Sequence, residues 1–130
     1  LSLRRQRQMC IRDREGADLK EANLRNAILE GADLRNAILE GADLIDVDLK
    51  GAKLEGAELK DAKLVNADLR GADLKGADLT GANLSHANMQ DTNLFRINLK
   101  GADLFRTNLK GVDLTGVDIS NAFLDKWADN

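Results

Sequence analysis

From Leu19 to Leu124 a large aliphatic residue returns at every fifth position: twenty leucines, with Met89 and Ile119 in the other two places. Every leucine after position 14 lies on this lattice, all eleven glycines share a second phase of it, and Ala, Val, Thr or Ile always stands two residues before the aliphatic one. An α-helix turns about 500° in five residues, so these side chains would scatter by about 140° per step and form no stripe. In a flat strand the side-chain period is two, and an odd spacing would send alternate leucines to opposite faces. A chain that turns a corner every five residues can bury the set. Each short extended segment then points its Leu, and the small residue two before it, to one side and the residues between outward.

The corners carry the matching chemistry. The position two after the aliphatic residue is Gly, Asn or Asp in 17 of 22 repeats, the residues that tolerate positive φ or hydrogen-bond to their own main chain. The chain has no proline, as stacked segments that need every N–H for coil-to-coil bonds require. Segments such as Ala17-Asp18-Leu19, Ala72-Asp73-Leu74, Ala82-Asn83-Leu84 and Ala102-Asp103-Leu104 resemble the A(D/N)LXX motif of the pentapeptide-repeat family, and the resemblance extends over about 110 residues. It implies an all-β fold, a right-handed quadrilateral parallel β-helix with one repeat per side. The corners follow from the period; the number four follows from the family. Twenty-two repeats then make about 5.5 coils, a rod about 26 Å long at the usual strand spacing.

Residues 1–14, LSLRRQRQMCIRDR, lie off the lattice. Residues 4–14 resemble the in-frame translation of a transposon-type sequencing adapter, so 1–14 is expected to be a non-native, disordered leader that leaves the native N-terminus missing. The domain is expected to run over 15–124, with 125–130 as a C-terminal tail or partial cap in which Trp127 closes the last coil. The formal net charge of −3 for the 130 residues includes five Arg and one Asp from the leader, so the remainder carries −7. Near-duplicate segments, Arg25–Leu34 with Arg35–Leu44 and Phe95–Leu104 with Phe105–Leu114, indicate growth by tandem copying. Larger residues at the small position toward the C-terminus (Thr92, Ile97, Thr107, Val112, Val117) predict wider or differently turned coils there.

With twenty residues per coil the outward positions form four sides. Sides one, three and four, flanking Leu19, Leu29 and Leu34 and their stacked equivalents, mix acids and bases, often alternating as in Lys20, Glu40, Lys60 and in Arg35, Glu55, Lys75. Exposed pairs of this kind add about 0–1 kcal/mol each and keep a rod soluble and in register. Side two differs, with Arg25, Ile45, Val65, Ser85 and Phe105 in one column and Phe123 one coil above. Ile45, Val65, Phe105 and Phe123 are therefore the candidate partner patch, against the alternative that β-branched neighbours on a sheet surface simply pack together.

Catalysis has little to work with. The single His86 sits at a corner without a second His or a Cys beside it, the acids lie on convex solvated faces where nothing separates their pKa values, and GADLKG at 71–76 is repeat phase rather than a phosphate loop. The chain is expected to be no enzyme, with no cofactor and no metal site. The reading is a rigid scaffold or protein-interaction module with a protein partner. It also expects self-association through an uncapped N-terminal end, no direct nucleic-acid binding, no membrane span and a cytoplasmic setting. The alternative comes from the family resemblance, some of whose members mimic DNA and inhibit or protect DNA gyrase and other type II topoisomerases. Against it, Asp33, Lys53, Asp73 alternate in sign, and Asp48 over Asp68 is the best acidic pair.

Overall fold

A computed structural model describes residues 15–124. The expected leader and tail, including Trp127, lie outside the described residues. Backbone pairing repeats at a fixed offset of twenty residues: Asp18 with Ile38, Asn23 with Asp43, Ile28 with Asp48, Asp33 with Lys53 and onward to Asn98 with Asp118, all parallel. Twenty residues hold four repeats, so the chain returns above itself after four corners, as a parallel β-helix does. No α-helix occurs among the described residues.

Extended β-structure is nonetheless sparse. Only β1 (Asp103–Leu104) and β2 (Phe123–Leu124) form a ladder of two residues, pairing Asp103 with Phe123 and Leu104 with Leu124. Elsewhere each side contributes a single bridge, because a corner interrupts the ladder before a second residue can join.

Each repeat settles its own hydrogen bonds. In the repeat at Leu39, Ile38 N–H reaches back to Ala17 O (2.8 Å), Leu39 N–H reaches forward to Glu58 O (2.7 Å), and Gly41 N–H reaches Lys60 O (2.9 Å). Ala42 N–H closes the corner on Leu39 O (3.0 Å). The third corner residue has positive φ at every described corner from Gly16 to Asn121, whether Gly, Asn, Asp, Glu21, His86, Arg96 or Arg106 occupies it. Positive φ at that place alone defines a type II turn.

One N–H remains, that of the residue after Leu, and a side chain takes it. Lys20 N–H donates to Asp18 Oδ1 (3.2 Å), Ser85 N–H to Asn83 Oδ1 (3.0 Å) and Lys100 N–H to Asn98 Oδ1 (3.0 Å). All sixteen Asp or Asn residues at the position before the aliphatic one make this bond. The second letter of the motif is thus a backbone cap of the Asx-turn kind.

The core is a column of fully buried leucines, Leu29 through Leu84, with Ala32, Ala37 and their equivalents between them. Each Leu contributes about 1.5–3 kcal/mol on burial. Leu114, Ile119 and Leu124 belong to the last described coil, with no described coil over them, and are 37–39% exposed; on side four the stack also loosens. Asn93 and Asp113 do not bridge, although Asp73 and Asn93 do. Where Val112 follows Thr92 in the small column, a cleft of about 310 Å3 opens between Thr92, Leu94, Gly111 and Asp113. The bulkier small-position residues accompany this opening, while the corners themselves keep the same turn as elsewhere.

Candidate functional site: the outward face of side two

The column expected on side two is continuous in space. Asn26 N–H donates to Ile45 O (3.0 Å), Asp46 N–H to Val65 O (3.0 Å), Asn66 N–H to Ser85 O (3.1 Å) and His86 N–H to Phe105 O (2.9 Å), which fixes four successive rungs. At the foot, Arg25 leans away from the column, its guanidinium 3.2 Å from Asp43. Ile45 and Val65 are half-buried neighbours. Ser85, whose hydroxyl donates to Asn83 Oδ1 (2.7 Å), separates them from Phe105.

Above Ser85 the column becomes aromatic. The Phe105 and Phe123 ring centroids lie 6.1 Å apart at 42°, and the His86 ring meets Phe105 edge-on at 5.6 Å and 81°. Arg106 Cζ stands 5.3 Å from the Phe105 centroid. Phe105 is half-buried, whereas Phe123 is 58% exposed. The four predicted residues therefore lie on one edge in two pieces, an aliphatic pair and an aromatic pair, with His86 and Arg106 flanking the second. Ring contacts of this geometry contribute about 0.5–1.5 kcal/mol each, and they leave a firm apolar ledge rather than a pocket.

Two further apolar side chains escaped the column reading. Ile28 is 56% and Phe95 55% exposed. Phe95 lies on side four with Lys75 Nζ 5.8 Å and Arg96 Cζ 5.2 Å from its ring centroid. The tandem copy offered the signal, since Phe95 is the twin of Phe105, but the alternating charges below it drew attention to ion pairing instead.

Several of the acidic side chains are already engaged within their own repeats. Arg35 grips Asp33 through two bonds (2.8 and 2.7 Å), and Arg70 grips Asp68 in the same way (2.9 and 2.6 Å). These side-chain bonds hold the Asp33 carboxyl down at about 2 and lower that of Asp68. Asp113 and Asp118 are lowered by the hydroxyl and N–H of Thr115 and Ser120 respectively. Among the described residues no group of three or more His, Cys, Asp or Glu is placed to hold a metal ion. The described residues include no helix long and apolar enough to cross a membrane.

Comparison with known proteins agrees with this geometry. The family model for pentapeptide repeats (8 copies) matches residues 17–56, 57–94 and 92–126. The pentapeptide repeat protein Rfr23 from the cyanobacterium Cyanothece 51142 is 37% identical, with a TM-score of 0.61. That match covers 87% of this chain but 64% of Rfr23, so the chain spans less than two thirds of that relative's length. The pentapeptide repeat protein alr5209 from Nostoc PCC 7120 is 32% identical at a TM-score of 0.63, over 93% of this chain and 91% of its own. QnrB1, a plasmid-mediated fluoroquinolone resistance protein, shares the fold at 24% identity and a TM-score of 0.60, over 88% and 68% of the two chains. No curated protein sequence matches. These neighbours give the coil its hand, a right-handed β-helix, and the chain belongs to the pentapeptide-repeat family.

Proposed function

We propose that the array is a non-enzymatic scaffold of about 5.5 coils that binds a protein partner along side two. The observation that carries this reading is the ledge of Phe105 and Phe123, with His86 and Arg106 against it and Ile45 and Val65 continuing the same edge. Aromatic residues and Arg over a rigid backbone are the side chains on which protein interfaces concentrate their energy. The Asp and Asn residues of the motif are meanwhile occupied in holding corners, whereas the apolar column holds none.

The test compares capture of partners from a native extract by the wild-type chain, Phe105→Asp and the distant control Ile28→Asp. The reading expects a band lost only with Phe105→Asp while the β-type circular dichroism is unchanged. Equal capture by all three chains overturns it.

DNA mimicry toward a type II topoisomerase is the competitor, and the ion pairs weaken it. Two of the outward acids that would imitate phosphates are neutralised within their own repeats by Arg35 and Arg70. A gyrase supercoiling assay separates the readings. Inhibition or protection that is lost on neutralising Asp48 and Asp68 would favour the competitor.

A further inference from the structure

Side four has an open groove of about 650 Å3 along its corner, lined by Arg35, Glu55, Lys75 and Arg96 among others. Read along the rod, the outward column is Glu15, Arg35, Glu55, Lys75, Phe95 and Thr115. Its rungs are fixed by bonds of 2.9 Å from Asn36 N–H to Glu55 O, Gly56 N–H to Lys75 O and Gly76 N–H to Phe95 O. Glu55 stands between two cations that are engaged elsewhere. Arg35 holds Asp33, and Lys75 lies against the Phe95 ring. Glu55 Oε2 is covered by its neighbours and has no hydrogen-bond partner among the described residues, an arrangement that native structures seldom leave uncompensated.

We propose that side four is self-complementary and takes a second copy of this chain antiparallel, about a twofold axis between the rungs of Glu55 and Lys75. Reversing the column about that point sets Glu55 opposite the second copy's Lys75, and Arg35 opposite its exposed Phe95. In the neighbouring column Lys53 meets Asp73, and Asp33 meets Asn93. No two like charges oppose each other. Centring the axis on a rung instead would set Glu55 against Glu55 or Lys75 against Lys75. An axis between the rungs of Arg35 and Glu55 would also oppose unlike charges but would leave the exposed Phe95 uncovered, so the charges and Phe95 together select the register. Gly56 and Gly76 flank the axis at the corner. The space beside Gly76 is open and lets a second backbone approach there, whereas the Asn36 side chain lies over Gly56. An isologous contact of this kind closes on itself and stops at the dimer.

The contact engages one narrow side of each rod, well short of the ~1,600 Å2 of a standard interface. The dimer is therefore weak, forms at high protein concentration and is salt-sensitive. It uses a different side from the ledge of side two and does not depend on that reading.

Sedimentation equilibrium of the full chain at low salt tests the proposal. The expected result is a monomer–dimer equilibrium that shifts to monomer as salt rises. Glu55→Lys and Lys75→Glu should each weaken it at least about tenfold, through the repulsion of like charges across the axis. An equimolar mixture of those two variants should associate again, because opposite charges then face each other, and so should the double variant. Circular dichroism of each variant checks that the fold is retained. Phe105→Asp should leave the dimer unaffected, which separates this contact from the side-two ledge. A monomer at every accessible concentration, or a dimer indifferent to both charge reversals, overturns the proposal.

Discussion

Each residue of the five has one task, and the third corner residue has the most demanding. Its φ is positive at every described corner, a conformation that costs an ordinary L-residue about 1–2 kcal/mol. Glycine removes that strain everywhere, but at some corners it also yields space. A Cβ on Gly81 would overlap Asp61 Oδ1 from the coil below, whereas nothing lies within 4 Å of one on Gly71. Gly71→Ala should therefore cost only the backbone strain. Gly81→Ala must also turn the Asp61 carboxylate aside, but that is the tip of an exposed side chain, so it should cost only slightly more than Gly71→Ala, a small difference that midpoints of urea unfolding will show. Corner composition made the positive φ legible in the sequence. The distinction between the two glycines was not, because it depends on a neighbour twenty residues away whose side-chain direction no periodicity specifies.

At the scale of the repeat, the Asx bond explains why the motif asks for Asp or Asn, a preference that the sequence displays without its cause. It also identifies the repeats that lack the cap. Glu58 stands at a capping position one rung below Asp78 and cannot serve as an Asx acceptor. Glu58→Asn should supply an acceptor for Lys60 N–H and remove a like-charge neighbour of Asp78. It is expected to stabilise the fold by about 0.5–1.5 kcal/mol, the net worth of one hydrogen bond, as a higher thermal midpoint. The candidate site was legible at this scale to the extent that it followed columns. Ile45, Val65 and Phe105 could be placed by counting in twenties, and Phe123 by its neighbouring rung. The edge-on packing of His86 on Phe105 could not, since ring orientation depends on rotamers rather than on spacing.

Across the whole molecule each coil touches only the coils beside it, so stability is close to a sum of neighbour terms. The interior leucines are equivalent in sequence but not in consequence. Leu59 is 1% exposed between intact coils, whereas Leu114 is 38% exposed where the stack loosens. Leu59→Ala should cost about 2–5 kcal/mol and Leu114→Ala well under half of that. Amide hydrogen exchange should show lost protection on both sides of Leu59 but only in the last coil for Leu114. The position of this loosening was partly readable, from the larger residues at the small position. The missing bridge between Asn93 and Asp113 was not, because whether a wider coil swells evenly or parts on one side is decided by packing in three dimensions.

The Asx cap has a broader consequence. It needs one side-chain oxygen at a fixed distance and is indifferent to whether that oxygen belongs to a carboxylate or an amide, as Asp73 and Asn93 show on successive rungs of one column. Shape and surface potential are thereby written in separate alphabets. An exchange of Asp for Asn edits the field around the rod one rung at a time and leaves the backbone its acceptor. A single scaffold can thus drift from partner to partner by respelling its charges, with no need to refold its frame.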